Sequence, residues 1–368
     1  MRIFRTGGWF VLAVGLLLQI YLRVYPQIRP GCSWPDAGSR DLKMIAFGDP
    51  QIVGYSPLQK LRKRVDIYGN DLFLKQVAST MRRQTKPDLV AVMGDLLSNQ
   101  WIPNEEFHRR VDRYEKIFPA SDPGALVNIS GNHDIGYHGE MNDDRLNRFE
   151  ERFGALNYVV DEVNEGALQY RIVVLNSLAL DGPPHNDRAE NATRDFLRSL
   201  EGYTGSTVLL THIPMYKPQG ICRDGPRFDY YPQQYGSVLK QQNHLSANAT
   251  SLVMSSLFTG GQGGLIVTGH DHQGCSSKYI FEGEWMARAD TDTTMPRNGE
   301  VKEFTVRSMM GEFGGNSGLI YGHVNQENHM QWSYTLCRFH LQHIWWVTQV
   351  VTIVGLLWVP LSYLIQCI

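Results

Sequence analysis

The chain has 368 residues, of which 42% are hydrophobic and 20% are charged. This composition is typical of a folded globular protein and excludes a mainly disordered chain. The formal net charge of −2 gives no basic excess, so the sequence does not predict binding to nucleic acid.

An uncharged segment near the N-terminus, Gly7–Leu22, is flanked by Arg2, Arg5 and Arg23. It fits a short membrane span whose flanking arginines reach the two interfaces. A signal peptide is one alternative, although the following residues lack the small-residue cleavage pattern, and a buried core helix is the other. The predicted boundaries are a cytosolic tail at 1–6, a transmembrane helix at 7–25 and a luminal, Pro/Gly-rich stalk at 26–42.

Short apolar strands then alternate with helices, a pattern that predicts a parallel sheet. The predicted elements of this half are strands at Lys43–Phe47, Leu89–Met93 and Leu126–Ile129 and helices at Asp71–Gln84, Asn104–Phe118 and Asp144–Phe153. After Tyr158 the predicted elements are strands at Leu168–Leu175, Thr207–Leu210, Leu265–Thr268, Phe304–Arg307 and Leu319–Val324. We therefore predict two packed sheets flanked by helices in one α/β domain at 43–336.

Polar side chains that bind metals follow five of these strands directly. In open α/β sheets the site forms outside the carboxyl ends of the strands, so we expect these side chains to meet at one edge. Glycines in four of the motifs let the backbone turn sharply. Carboxylate, amide and imidazole groups without thiolates suit a pair of divalent metal ions. The motifs are Gly48-Asp49-Pro50-Gln51, Gly94-Asp95, Gly131-Asn132-His133-Asp134, Thr211-His212 and Gly269-His270-Asp271-His272.

A second uncharged segment, Ile344–Ile365, exceeds the roughly 20 residues that cross a bilayer. Trp345 and Trp346 stand where an aromatic belt would place them. We predict a transmembrane helix at 344–366, with a buried core helix as the alternative. Two crossings put both termini on one side, and the glycosylation sequons at Asn191 and Asn248 favour the lumen for the domain between them. A third sequon, at Asn128, lies in an apolar run and is expected to be buried.

Four of the five cysteines lie between the two apolar segments and allow three disulfide pairings. A bond from Cys32 to Cys337 would join the chain where it leaves and re-enters the membrane. Cys222 and Cys275 would form the remaining pair. Free buried thiols are the alternative, because the sequence alone does not fix the compartment.

The five motifs, in this order, resemble the calcineurin-like metallophosphoesterase superfamily over about Lys43–Leu336. The resemblance implies an α/β fold, a four-layer α/β/β/α metallophosphoesterase sandwich, here flanked by two transmembrane helices. It implies two divalent metal ions, with Asp95 bridging them. The implied ligands are Asp49, Gln51 and His272 for the first ion and Asn132, His212 and His270 for the second. His133, oriented by Asp134, is implied as the acid that protonates the leaving oxygen.

Gln51 departs from the superfamily pattern, which usually has histidine at this position. A neutral amide oxygen is a weaker ligand and favours a harder metal such as manganese. Ser98 also stands where a purple acid phosphatase has tyrosine, so that branch is not predicted.

A narrower resemblance, carried by Gly131–Phe153 and the second span, is to endoplasmic-reticulum phosphoesterases that remodel glycosylphosphatidylinositol (GPI) anchors. Ser308–Gly318 and the Asp49-Pro50-Gln51 variant resemble the fungal branch. The resemblance implies removal of an ethanolamine-phosphate branch from a mannose, the second rather than the first, with Mn²⁺ expected and Zn²⁺ as the alternative. It also implies GPI-anchored proteins or the GPI glycolipid as substrate, and cargo receptors for ER exit as partners. The implied location is the ER membrane, extending to ER exit sites and the early Golgi.

Candidate substrate contacts lie near the motifs. The long insertion Ile213–Gln242 carries aromatic and basic side chains that suit sugars and phosphates, and a lid without a special role is the alternative. The candidates are His138, Glu140, Tyr216, Arg223 and, for an ethanolamine ammonium, Glu312. Two other functions stay open: a membrane-bound phosphodiesterase acting on another lipid or a nucleotide, and a non-catalytic scaffold or cargo receptor with this fold.

Overall fold

Two β-sheets stack face to face in the computed structural model, which describes residues 2–29, 31–35, 38, 40–54, 60–166, 168–183, 187–258, 263–290 and 299–365. The first sheet has, in spatial order, strands Met330–Arg338 (β14), Asn316–Val324 (β13), Leu42–Phe47 (β1), Leu89–Val92 (β2) and Ala125–Asn128 (β3). Strands β1, β2 and β3 are parallel, while β13 and β14 are antiparallel to their neighbours.

The second sheet has, in spatial order, strands Trp285–Ala289 (β11), Cys275–Phe281 (β10), Glu300–Thr305 (β12), Gly264–Thr268 (β9), Ser206–Thr211 (β6), Leu168–Leu175 (β5) and Tyr158–Glu165 (β4). Its four central strands, β12, β9, β6 and β5, are parallel. A separate hairpin of Phe228–Tyr230 (β7) and Leu239–Gln242 (β8) lies within the predicted insertion.

The helices are Arg2–Ile28 (α1), Leu61–Thr85 (α2), Asn104–Ile117 (α3), Asn132–Ile135 (α4), Asp143–Phe153 (α5), Asp187–Ser199 (α6), Ala247–Leu257 (α7) and Gln342–Leu364 (α8). Helices α2 and α3 pack on the outer face of the first sheet, and α6 and α7 on that of the second. The predicted four-layer α/β/β/α sandwich is confirmed.

Side-chain alternation along the strands divides the core into layers, because successive residues of a strand point to opposite faces. Met44 and Ala46 of β1 point into the inter-sheet layer, where they join Val208 and Leu210 of β6. The side chains between them in sequence point outward and meet the helices. Trp332 closes the inter-sheet layer, since its indole Nε1 donates to Ser206 Oγ of the other sheet at 2.9 Å.

The structure contains several strands and helices that the sequence did not predict. Strands β4, β10, β11 and β14 and helices α6 and α7 were not predicted, and α2 begins at Leu61 rather than Asp71. Of the missed strands, β4, β11 and β14 lie at sheet edges, and each has polar residues among its apolar ones. Strand β14 also extends the domain to Arg338, two residues beyond the predicted boundary.

Helices α1 and α8 are long and apolar enough to cross a membrane. They lie antiparallel along their length: Phe4 packs on Trp358 at one end, and His340 Nε2 lies 3.3 Å from the Leu22 carbonyl oxygen at the other. Between these ends, Gln19 Nε2 donates to Gln349 Oε1 at 3.1 Å. Only 17% of each apolar window is buried by protein, so most of both helix surfaces is available to lipid.

Helix α1 extends beyond the predicted span at both ends, into the predicted tail and the predicted stalk. Residues 2–6 are helical because they extend the packing on α8, where the Arg5 guanidinium lies 5.3 Å from the Tyr363 ring centre. Residues 26–28, assigned to the stalk, form the last turn of α1, and the next segment packs on the domain through Trp34 Nε1 and the Thr85 carbonyl. Positions 1, 30, 36, 37, 39 and 366 of the predicted segments lie outside the described residues.

Both predicted disulfides are present. Cys32 and Cys337 are joined with 4.9 Å between their Cα atoms, and Cys222 and Cys275 with 5.7 Å. The first bond ties the segment after α1 to the end of β14, directly before α8, and thereby fixes the helix pair to the domain. The alternative of free thiols is excluded.

Small residues allow α1 and α8 to approach closely, as is common between helices in membranes. A Cβ atom added to Gly355 would lie 2.5 Å from the Leu12 Cα. We expect Gly355→Leu to lower the stability of the full chain in detergent by about 2 kcal/mol, because overpacking forces the helices apart. The matched control is Val354→Leu on the exposed face, which should not lower the melting temperature. Equal melting temperatures for both variants would contradict this packing.

Candidate metal centre

The seven predicted metal ligands lie together at one edge of the sandwich. Three strands of the first sheet and two of the second end there, and each delivers one motif. The two sheets are joined at this edge by the bridge between Gly48 and Ser308. The polar groups contributed are the side chains of Asp49, Gln51, Asp95, Asn132, His212, His270 and His272.

The backbone at this edge is bent into left-handed conformations. Four candidate ligands have positive φ: Asp49 at 46°, Gln51 at 43°, Asp95 at 48° and His270 at 71°. Such conformations cost non-glycine residues about 1–3 kcal/mol each and persist only where the surrounding structure imposes them. The sharp turn after each strand therefore aims these side chains into the site at the expense of stability.

Glycine is required where two of the turns touch. A Cβ atom on Gly131 would lie 2.1 Å from the Asp95 backbone nitrogen and 2.2 Å from its Oδ1. We expect Gly131→Ala to displace the Asp95 carboxylate and to lower the phosphoester hydrolysis that the sequence resemblance implies at least about 100-fold, since misplacement by 1 Å can cost that much. The measurement is hydrolysis of a small soluble phosphodiester, such as bis(4-nitrophenyl) phosphate, by the metal-loaded full chain.

The matched control for this variant is Gly202→Ala. Gly131 has φ −113°, so alanine there adds no left-handed strain, whereas Gly202 has positive φ, at 79°, and a Cβ atom there meets nothing within 4 Å. The control therefore tests whether a strained alanine far from the centre inactivates, and we expect only Gly131→Ala to do so because only its Cβ atom meets Asp95. Equal activity of the two variants would show that the close approach of the turns is unimportant.

Backbone carbonyl groups fix the tautomers of two histidines. His212 Nδ1 lies 2.7 Å from the Met93 oxygen, and His270 Nε2 lies 2.7 Å from the Gln242 oxygen. A carbonyl only accepts, so these two nitrogens carry the protons and donate. The opposite nitrogens, Nε2 of His212 and Nδ1 of His270, therefore present lone pairs, as ligands held by an outer hydrogen bond do.

The ligand atoms form a cluster. Potential metal-binding atoms of Asp95, His212 and His270 all lie within 4.8 Å of one another. His212 Nε2 is 3.1 Å from Asn132 Oδ1 and 3.4 Å from Asp95 Oδ1. The His270 backbone nitrogen donates to the Asp49 carboxylate at 3.0 Å, so Asp49 also lies next to this ligand cluster.

Burial and charge at the cluster fit a cation. Asp49 and Asp95 are buried, and neither forms an ion pair with a lysine or arginine among the described residues. Burial and the neighbouring Asp95 charge raise the pKa of Asp49, whereas the nearby histidines outweigh burial and lower the pKa of Asp95. Buried carboxylates without a cationic partner are costly, so divalent ions would stabilise this arrangement.

The imidazoles are available as neutral ligands. Burial lowers the pKa of His212 and of His272, and burial together with the His212 charge lowers the pKa of His270 to about 3. Protons therefore do not compete for their lone pairs near neutral pH. Carboxylate, neutral imidazole and amide groups together match the donor set of Mn²⁺ or Zn²⁺.

Gln51 lies between the bridging carboxylate and the last histidine of the set. Its Nε2 is 3.2 Å from Asp95 Oδ2 and 3.2 Å from His272 Nε2. The position suits a first-ion ligand, but ligation through the amide oxygen requires the amide to turn over.

His133 stands at the exposed side of the centre, with 38% of its side chain accessible. Its backbone nitrogen donates to Asp95 Oδ1 at 2.8 Å, and its Nε2 lies 3.8 Å from Asp95 Oδ2. The expectation that Asp134 orients His133 is wrong. The Asp134 carboxylate accepts from the backbone nitrogens of Leu96, Leu97 and Gly131, so it holds the second and third motifs together.

Two predicted substrate contacts are wrong because the side chains are buried in protein contacts. His138 is 1% exposed, and its Nδ1 lies 3.2 Å from the Asp181 carbonyl oxygen. Glu140 is 6% exposed and accepts from Gln100 Nε2 and from the Tyr231 hydroxyl, both within 2.9 Å. Glu140 thus anchors the insertion to the third motif.

The other predicted contacts differ in placement. Tyr216 is half-buried, with its backbone held by Thr250 and Tyr279, and Arg223 is exposed on the insertion. Glu312 is exposed in the turn Gly311–Phe313, beside the metal centre. Substrate binding by these three side chains stays a prediction.

A cleft of about 380 Å³ opens from the metal centre toward α8. Gln51 and Glu312 line its inner part, and Gln342 and Trp346 of α8 line its outer part, with Asp66 of α2 on one wall. Asp66 forms no ion pair with a described residue. This cleft could not be predicted from the sequence, because its walls come from five separate segments of the chain.

Ser308 is a site residue that sequence reasoning missed. Its hydroxyl donates to the Asp49 carbonyl at 3.1 Å, and its backbone nitrogen donates to the His272 carbonyl at 3.2 Å. It thereby links the first and last motifs. Its position just after β12 could have indicated a site residue, since the other site residues also follow strands directly.

A family model described as calcineurin-like phosphoesterase matches residues 42–274. The chain belongs to the calcineurin-like phosphoesterase family. Protein TED1 from Saccharomyces cerevisiae is 32% identical to this calcineurin-like phosphoesterase, over 93% of this chain and 95% of that protein. Metallophosphoesterase 1 from Danio rerio is 26% identical over 66% of this chain and 67% of its own length, and that from Rattus norvegicus is 26% identical over 72% and 71%. This calcineurin-like phosphoesterase is therefore a metal-dependent phosphoesterase.

Proposed function

We propose that this enzyme is a membrane-tethered binuclear phosphodiesterase that removes an ethanolamine-phosphate branch from a mannose of GPI anchors. The second mannose is the proposed position, and the proposed consequence is export of GPI-anchored proteins from the endoplasmic reticulum. The observation that carries the proposal is that one short turn, Gly311–Phe313, contacts both the metal centre and the first turn of α8.

The Gly311–Phe313 turn connects the metal centre to α8. The His272 ring packs on the Phe313 ring with 5.1 Å between centroids. Gln342 packs against Gly311, two residues before Phe313. A Cβ atom added to Gly311 would lie 2.4 Å from the Gln342 Cδ. With α1 and α8 proposed to cross the membrane, the reaction takes place near its surface. That position suits a phosphodiester carried on a lipid-anchored glycan.

The candidate ligands divide into two sets around Asp95. We propose that Asp49, Gln51 and His272 hold one ion, that Asn132, His212 and His270 hold the other, and that Asp95 contacts both. When bound, the two ions, Mn²⁺ by expectation, supply Lewis acidity that neutralises the phosphoryl oxygens. Asp134 keeps the turns that carry Asp95 and Asn132 in register through its three backbone hydrogen bonds.

His133 is the proposed proton donor to the leaving sugar oxygen. Its side chain is accessible. Its Nδ1 has no hydrogen-bond partner among the described residues, so no protein acceptor holds this nitrogen. A positioned general acid typically contributes 10²–10⁴-fold, order of magnitude. Glu312, exposed in the cleft beside Gln51, is the proposed partner of the ethanolamine ammonium group.

The proposed location is the membrane of the endoplasmic reticulum, with the catalytic domain in the lumen. Two disulfides support an oxidising compartment. Asn191 and Asn248, in the two sequons named above, are exposed and accessible to glycosylation. Cargo receptors for ER exit are the proposed partners of the enzyme and its product.

Anchor glycans from cells that lack this protein test the proposal. We expect them to retain ethanolamine phosphate on one mannose, which mass spectrometry would detect, and we expect the wild-type gene to restore its removal. His133→Ala should not restore removal. Restored export with His133→Ala, without removal of the branch, would instead support the non-catalytic cargo-receptor alternative.

A further inference from the structure

A second cavity, of about 290 Å³, lies on the other side of the Gly311–Phe313 turn from the cleft described above. We call it the arginine cavity, because Arg29, Arg307 and Arg338 line it. Its remaining walls come from the last turns of α1, the first turn of α8 and the start of β13. No aspartate or glutamate lines it.

The arginines of this cavity are not neutralised by protein groups. None of the three forms an ion pair with a described residue. Arg29 Nη1 donates only to the Arg338 carbonyl, at 3.3 Å, and Arg307 Nε is buried without a hydrogen-bond partner in the described part of the chain. A buried N–H group without an acceptor is unfavourable, so an anionic oxygen in this cavity would complete its hydrogen bonding.

The surroundings of the cavity indicate that the anion is attached to a lipid. Tyr21 and Tyr25 line the cavity from α1, as tyrosines at a membrane interface do. Leu341 and Ile344 line it from the start of α8, and Leu341 is 46% exposed. The exposed apolar flanks of both helices continue from this point, so acyl chains attached to the bound headgroup could follow them.

We propose that the arginine cavity binds the phosphate of an anionic phospholipid headgroup from the bilayer that α1 and α8 cross. The inference rests on the proposed membrane crossing but not on the proposed GPI substrate. Guanidinium groups suit phosphate because they donate in a planar fork, and three of them favour a headgroup with net negative charge. The cavity also borders the turn whose Phe313 contacts His272.

Lipid retention by the purified full chain tests the proposal. The chain is reconstituted in nanodiscs of phosphatidylcholine with a minor fraction of phosphatidylinositol, and the lipids that stay bound after transfer to detergent are identified by native mass spectrometry. We expect phosphatidylinositol to be enriched over its share in the nanodisc. Arg338→Gln and Arg307→Gln should each reduce this enrichment about tenfold, since each removes charge-assisted hydrogen bonds. Arg338 is exposed, so its variant should fold even if the Arg307 variant does not.

The matched control is Arg23→Gln, an exposed arginine of α1 that does not line the cavity. It should retain the lipid as the wild type does, and Arg338→Gln should hydrolyse a small soluble phosphodiester at the wild-type rate. No enrichment in the wild type, or equal loss in the Arg23 control, would overturn the proposal. Displacement of the lipid by millimolar inorganic phosphate would also overturn it, because the site would then bind a free anion. If the chain stays soluble and monomeric without detergent, the membrane crossing itself is wrong.

Discussion

Asp95→Asn is expected to lower kcat/KM for phosphodiester hydrolysis by about 10³-fold or more. Asp95 is buried at the centre of the ligand set, with contacts to Gln51, His133 and His212. The substitution keeps the shape of the side chain and removes the negative charge proposed to be shared by both ions. The measurement is hydrolysis of bis(4-nitrophenyl) phosphate with Mn²⁺, together with the bound metal content of each protein.

The control for this substitution is Asp112→Asn. Asp112 is 60% exposed and pairs with Arg152 on the surface, where an ion pair contributes little. Its variant should keep its metal and its activity within about twofold. If Asp95→Asn kept a tenth or more of wild-type activity, the bridging role of this carboxylate would be wrong.

Removal of the Cys32–Cys337 disulfide is expected to destabilise the full chain by about 4 kcal/mol and to lower its melting temperature by about 5 °C. The bond closes a loop with a sequence separation of 305, so its loss gives the unfolded chain much more freedom. The double variant Cys32→Ser/Cys337→Ser avoids a leftover thiol. The melting temperature in detergent is the measurement.

The second disulfide provides the comparison. Cys222 and Cys275 are separated by 53 residues, so the loop-length difference makes their bond worth about 1.5 kcal/mol less. Cys222→Ser/Cys275→Ser should therefore melt at a higher temperature than the first double variant. A melting temperature of Cys32→Ser/Cys337→Ser that equals the wild type would show that helix packing alone fixes the domain to α1 and α8.

The central strands and their motifs could be predicted because the relevant signals are local. Strands β1, β2, β6 and β9 are apolar runs that end directly in a polar motif. Because sites in open α/β sheets form outside the carboxyl ends of the strands, the motifs are predicted to lie together. Strand β10 was missed because its sequence, Cys275–Phe281, has three consecutive polar residues, Ser276–Lys278, before a short apolar end. Its assignment depends on pairing with β11 on one side and β12 on the other.

The side-chain roles around the third motif depend on geometry that sequence proximity does not reveal. Asp134 follows His133 directly, but both lie in the helical turn Asn132–Ile135, where adjacent residues point to different sides. Asp134 therefore meets Leu96 and Leu97 instead. His138 and Glu140 also lie near the motif in sequence, yet Asp181 and Tyr231, more than 40 residues away in the chain, bury them.

The most direct test of the central claim is release of ethanolamine phosphate by the purified full chain, loaded with Mn²⁺, from GPI glycolipids that carry it on one mannose at a time. We predict release from a single position, the second mannose, by the wild type and none by Asp95→Asn. Wild-type protein that hydrolyses a small phosphodiester but releases nothing from any of these glycolipids would contradict the proposed substrate.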